Sequence, residues 1–284
     1  MKLQNKNRRN VIDNNKMSFT EFKELFVLFL RYVYHKFFTN KYRNKNFIKY
    51  KNIHNGERCF IVATGPSLTI EDINTLNKNH EYCFGINSCI KFFDKTEWRP
   101  EYYCITDHFV YNSLRSEYKK NYLNTVFYQN NYMSEPYFNA GNIESVVFEQ
   151  TCYEYTQSQY YKRTKNVVSM FRQKISLDPS KIIYNGNTVI YAAIQIAIYM
   201  GFKKIYLLGT DCNFTSKERY SKIADYSSGV DVKGRETEDI LISGYKEIKS
   251  FVERHSDSRI YNATRGGKLE VFERVDFDKL FDNK

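Results

Sequence analysis

The chain has 284 residues, enough for one large domain or two modest ones with a real core, and its 42% hydrophobic and 26% charged content excludes a disordered or fibrous protein. The formal charge of +11 is unevenly spread: residues 1–50 carry +9 and the rest of the chain only +2. That division excludes a broad nucleic-acid groove across the fold and points to a basic arm that meets something anionic.

The first 16 residues are polar and contain no apolar stretch of the kind a signal peptide requires. The longest apolar run, residues 25–30, is far shorter than the roughly 20 residues of a membrane span, so the chain is expected not to cross a bilayer. Residues 17–38 predict an amphipathic helix: Ser18 with Glu21 forms a capping box, and Phe22, Leu25, Phe26, Phe29, Val33 and Phe37 recur at helical spacing. Basic stretches flank it on both sides. Such a helix either packs on the core or lies on an anionic membrane surface, where an apolar face beside Lys and Arg is what interfacial binding needs. The expected division is a basic helical arm over 1–51 and a folded domain over 52–284.

From residue 57 short apolar runs alternate with helical segments. Residues 59–64, 82–86, 102–106, 125–128, 145–148 and 205–208 predict strands, several of them apolar on both faces. Strands buried on both faces belong to a mostly parallel sheet with helices on both sides, so the expected class is α/β and Rossmann-like. The helix over 188–200 is apolar nearly all round and ends at Gly201, a suitable cap; its less apolar stripe is Tyr191, Gln195 and Tyr199. Residues 215–240 are polar and read as a surface loop or lid. The six cysteines include no Cys-x-x-Cys pair, which argues against a zinc cluster or disulfide framework, and no metal ligands are assigned. Their setting fits a reducing, cytoplasmic compartment.

Polar residues collect at the strand ends. The first strand stops in Thr64-Gly65-Pro66-Ser67 before a helix that Thr69 and Asp72 can cap, leaving backbone N–H groups at the carboxyl edge, where phosphates bind in open α/β sheets. Pro66 removes one donor, so this is neither a dinucleotide fingerprint nor a P-loop. The second strand runs into Asn87-Ser88, the third into Asp107-His108, and the late strand into Asp211-Cys212-Asn213. Gly186-Asn187-Thr188 opens the buried helix as a second candidate anion site. Any one of these could be an ordinary turn or cap; together they predict a shared site. His255, near the end of a later helix, is a weaker candidate than His108.

Gly65-Pro66-Ser67-Leu68, Gly85-Ile86-Asn87-Ser88, Trp98-Arg99-Pro100 with Tyr103 and Thr106-Asp107, the stretch from Gly186-Asn187-Thr188-Val189 through Gly201 to Gly209-Thr210-Asp211, and Ile260-Tyr261-Asn262-Ala263-Thr264 together resemble the MptE-like family over about residues 56–282. That family is named for an archaeal 6-hydroxymethylpterin diphosphokinase. Two of the blocks also resemble bacterial sialyltransferases of glycosyltransferase family 42, a resemblance that implies a cytidine monophosphate sugar held by Gly65, Ser67, Asn87 and Thr188. The chain departs from those enzymes at Thr64, where they have Asn, and at Asn213, where they have an aromatic; Tyr220 or Tyr226 are the stand-ins for the phosphate-binding hydroxyl.

The expected function is therefore a glycosyltransferase of surface-polysaccharide or lipooligosaccharide assembly, peripheral to the inner face of the cell membrane. Its partners would be a nucleotide-sugar donor, a glycan or glycolipid acceptor and an anionic membrane met by residues 1–50, with no nucleic acid. It needs no cofactor, and His108 or Asp107 is the base that deprotonates the acceptor hydroxyl. The alternative is a diphosphokinase moving pyrophosphate from ATP with Mg²⁺ on Asp107 and Asp211. On the first reading, replacing Gly65 with Val should abolish nucleotide binding and spare the fold.

Overall fold

The structure is a computed structural model that describes residues 45–121, 123–129, 144–148, 175–214 and 234–282, with Phe19, Phe22, Lys23, Phe26, Val27, Phe29 and Leu30 of the N-terminal stretch. All six expected strands form: β1 (Arg58–Val62), β2 (Tyr82–Ile86), β3 (Tyr102–Ile105), β4 (Thr125–Gln129), β5 (Glu144–Phe148) and β6 (Lys204–Leu208). Two more follow, β7 (Arg259–Asn262) and the two-residue β8 (Glu273–Arg274). One sheet holds them in the order β5-β4-β3-β2-β1-β6-β7-β8, and every neighbouring pair is parallel. The chain lays β1 to β5 outward in one direction, then returns to set β6 against the free side of β1. That reversal makes the β1/β6 boundary the switch point at which open α/β sheets form their crevice.

The connections are α1 (Lys45–Ile48), α2 (Ile70–Lys78), a 3₁₀ turn over Asn87–Phe92, α3 (His108–Ser113), α4 (Arg115–Lys120), α5 (Val189–Tyr199), α6 (Gly234–His255) and a last 3₁₀ turn over Asp278–Leu280. The expected cap of α2 is present in both directions: Asp72 N–H donates to Thr69 Oγ1 and Thr69 N–H to Asp72 Oδ2, each at 3.1 Å. Every residue of α5 is buried, because an apolar surface all round a helix must be covered all round.

Period-two alternation divides the strand side chains between two covered faces. On one, Tyr102, Phe84 and Phe127 meet Phe47 and Tyr50 from the segment around α1, with ring centroids 5.0–6.4 Å apart. On the other, Phe60 stacks on Tyr206 at 5.0 Å and meets Phe277 and Phe281, while Tyr103 meets Tyr118 of α4. Packing thus reaches back before residue 52: Phe47 and Tyr50 are core residues.

The loop expected over 215–240 is overturned at its end. Residues 234–240 are the first turns of α6, the helix expected ahead of His255, whose inner face is Leu241, Tyr245, Ile248 and Val252, all buried; its polar first turns hid how early it starts. Residues 215–233, and with them Tyr220 and Tyr226, lie outside the described residues, as does the Ser18–Glu21 capping box. The seven described residues of the N-terminal stretch are helical, and Phe19, Phe22, Phe26, Phe29 and Leu30 stay exposed.

Candidate functional site

Between β1 and β6 the pairing continues past the strand ends. Ala63 N–H donates to Leu208 O and Gly65 N–H to Gly209 O, both at 2.8 Å, so the Gly-Pro-Ser turn is sewn to the end of β6. There Ser67 Oγ donates to Asp211 Oδ2 at 2.8 Å, and Ser67 N–H approaches the same oxygen at 3.5 Å. A side chain at 65 would put its Cβ 1.9 Å from Asp211 Oδ2 and 2.3 Å from Gly209 O. This corrects the expectation that Gly65→Val spares the fold: the glycine is required by the close approach of two strand ends, before any ligand is considered. Thr64 and Pro66 are half-buried in the same turn. Burial pushes the Asp211 carboxyl above its ordinary range, opposed by the bond from Ser67.

Asp211 is further fixed by the loop after β7. Lys268 N–H donates to Asp211 O at 2.7 Å, and a Cβ on Gly267, whose φ is +74°, would fall 2.4 Å from the same oxygen. Lys268 Nζ meets both carboxylate oxygens of Glu238 at 3.1 Å. Arg274 gathers the carbonyls of Thr264 and Gly266 at 2.7 and 2.8 Å. Thr264 Oγ1 accepts from Thr210 N–H at 2.9 Å. Sequence reasoning missed this loop; the Gly266-Gly267-Lys268 triplet was the available signal.

At the end of β2, Asn87 has a φ of +41° and its main-chain oxygen accepts from the hydroxyls of Tyr103 and Tyr118. Its side-chain oxygen is buried without a hydrogen-bond partner, as is Thr210 Oγ1 at the end of β6. Ser88 is buried in the 3₁₀ turn that follows Asn87. Asp107, at the end of β3, accepts from Val110 N–H at 3.2 Å and so caps α3; the side chain of His108 lies outside the described residues. Asn213 is half-buried beyond Cys212, itself at φ +48°. His255 sits at the end of α6, bonded to Phe251 O at 2.9 Å, on the opposite edge of the sheet.

The entrance to α5 is held from beneath. Thr188 caps the helix by accepting from Ile190 N–H at 3.3 Å, and Asn187, exposed at φ +62°, donates its N–H to Asn185 Oδ1 at 2.8 Å. A Cβ on buried Gly186 would lie 1.9 Å from the Tyr191 ring. Gln195, wholly buried, accepts from Ser176 N–H and Tyr184 N–H at 2.9 and 3.1 Å and donates to Tyr184 O and Tyr191 O at 2.9 and 3.0 Å. Every bond its amide can sterically offer is in use.

The strand order separates the two carboxylates assigned to Mg²⁺ in the alternative. Asp107 leaves β3 and Asp211 leaves β6, three strand spacings or about 14 Å apart, too far for two short side chains to share one ion. Among the described residues no group of three His, Cys, Asp or Glu side chains could hold a metal, and no helix is long and apolar enough to cross a membrane.

Residues 33–217 match the family described as 6-hydroxymethylpterin diphosphokinase MptE-like, well over half of the chain. The chain belongs to this family. The MptE-like blocks seen in the sequence divide in space: Gly-Pro-Ser, Asn87 and Thr210-Asp211 lie at the carboxyl ends of β1, β2 and β6, whereas Trp98 is buried and Pro100 fills the space beside Gly85. A comparison with curated proteins found no match. Among solved structures, this MptE-like chain is similar to the MAf glycosyltransferase from Magnetospirillum magneticum AMB-1, at 14% identity and a TM-score of 0.51, over 84% of this chain and 39% of that one. It spans about two fifths of that chain, and the likeness is one of fold.

Proposed function

We propose that this chain is a glycosyltransferase that takes its sugar from a nucleotide donor, a cytidine monophosphate sugar, in the β1/β6 crevice. The observation that carries this reading is the pair of buried, unpartnered oxygens, Asn87 Oδ1 and Thr210 Oγ1, at the carboxyl ends of β2 and β6, the strands on either side of β1. Burying a polar atom without a partner costs about 1–3 kcal/mol, and a ligand that satisfies both would recover it. The solved structure of similar fold is that of a glycosyltransferase, and the sialyltransferase resemblance supplies the nucleotide.

In this reading the start of α5 holds the leaving phosphate and stabilises its developing charge through backbone N–H groups, while the Gly-Pro-Ser turn, whose Gly65 N–H is committed to Gly209 O, shapes the wall beside it. Asp107 or His108, two strand spacings or about 10 Å from β1, deprotonates the acceptor hydroxyl. The acceptor is a membrane-bound glycan or glycolipid, reached because residues 1–50 carry +9 and hold the exposed phenylalanines of the N-terminal stretch.

The family name favours a second reading, a diphosphokinase using Mg-ATP. A thermal-shift series with CMP, UMP, GDP and Mg-ATP separates the two. A ligand at 100 times its Kd stabilises by about 2.7 kcal/mol; CMP is expected to give the largest shift, undiminished by EDTA. A shift with Mg-ATP alone, abolished by EDTA and accompanied by ATP consumption, would reject the glycosyltransferase.

A further inference from the structure

Asn87 occupies a backbone conformation that an L-residue adopts only at a cost, φ +41°. Something must hold it there. Its carbonyl oxygen receives two phenolic hydroxyls, one from Tyr118 at 2.6 Å and one from Tyr103. Tyr103 in turn accepts from Ile90 N–H at 2.8 Å, so its hydroxyl ties both ends of the turn that leaves β2. Both tyrosines are fully buried, 1% exposed each. Their rings meet edge to face at 5.9 Å, and Tyr118 stacks on Tyr111 at 5.3 Å. Gly85 is what admits the Tyr103 ring: a Cβ there would lie 3.0 Å from it and 2.9 Å from Pro100.

We propose that Tyr103 and Tyr118 are positioning residues: a two-hydroxyl clamp that sets Asn87 in the left-handed conformation before any ligand arrives, so that its amide is ready to take a nucleotide. The clamp rests on the glycosyltransferase reading for its ligand, but not for its geometry. Neither tyrosine touches the ligand; each acts through the Asn87 carbonyl. Two donors on one carbonyl also explain why the side-chain oxygen can stay unsatisfied in the free protein: the backbone, not the amide, anchors the residue.

The test is titration calorimetry with CMP on the full chain. Tyr103→Phe and Tyr118→Phe should each weaken CMP about fivefold, and the double variant about 25-fold. A purely structural role would lower stability alike in any background, so the same changes are repeated with Asn87→Gly. Glycine takes the left-handed conformation unaided and has no amide to aim; there each Phe should alter CMP affinity by less than about twofold. Single variants that bind CMP as wild type does, or losses that persist undiminished in the Asn87→Gly background, overturn the clamp. A crystal structure of Tyr118→Phe and, where it folds, of the double variant reads the clamp without a ligand: Asn87 should leave the left-handed region, and its staying there in both would overturn the proposal. If the wild type binds no CMP while Asn87 is released in the variants, the glycosyltransferase reading falls and the clamp stands.

Discussion

The two edges of the sheet treat buried polar groups differently. At the amino edge they are matched: His54 bonds Glu57 and, at 2.6 Å, Tyr102; Arg58 meets both oxygens of Glu81 at 2.6 and 2.9 Å; Glu101 accepts from Cys83 N–H at 3.0 Å. At the carboxyl edge Asn87 Oδ1 and Thr210 Oγ1 are left without partners, whereas positive φ angles occur at both edges, at Asn52, Gly56, His80 and Gly201 as at Asn87, Asn187, Gly209, Cys212, Gly266 and Gly267. The charged groups beside the strand starts are paired with one another, and these two oxygens at strand ends are not.

The largest effect expected from breaking this contrast is at the amino edge. Arg58→Met removes both guanidinium bonds to the Glu81 carboxylate, 5% exposed, and should cost about 3 kcal/mol of stability in urea unfolding, with CMP affinity unchanged. A loss of CMP binding in folded protein would erase the division between the edges. Thr210→Val works the other way. It replaces an unpartnered buried hydroxyl with a methyl of the same shape, so stability should stay level or rise by up to about 1 kcal/mol, while CMP binding falls about tenfold. A marked drop in melting temperature would mean that Thr210 has a structural partner after all.

The smallest effect is that of Asp211. Burial raises its carboxyl in the folded state above the ordinary value of 3.8, so the unfolded chain releases this proton first as pH rises. The contribution to stability is then fully present below the unfolded value and is lost as pH rises through the folded one. Asp211→Asn keeps an acceptor for Ser67 and has no titration. Wild type should therefore gain in melting temperature relative to the variant between pH 7 and pH 4; a difference that is constant, or that moves in the opposite direction, would contradict the burial of this charge.

Most of the sheet was legible because apolar runs such as residues 82–86 and 205–208 are buried on both faces, and burial on both faces writes itself into composition. β7 was not recognised as a strand, since only four residues pair and Arg259 and Asn262 make its ends polar. Each strand end could be read as a polar turn, but not who meets whom. Ser67 and Asp211 stand 144 residues apart, and only the strand order, with β6 returning beside β1, makes them partners. The Asn87 clamp was less visible still: Tyr118 comes from a short helix with no sequence periodicity of its own, and a hydroxyl aimed at a carbonyl leaves no pattern.

Gln195 carries a consequence for how this site can change. Its amide joins Ser176 and Tyr184, at either end of the irregular and mostly buried or half-buried segment 176–184, to the helix whose every residue is buried. That segment cannot open without breaking bonds inside the core, so it belongs to the same cooperative unit as α5 and not to the fraying periphery. The α5 side of the crevice is thus inherited from the interior. A descendant of this chain with a different ligand would have to exchange side chains on a fixed wall, because the wall itself has no independent freedom to move.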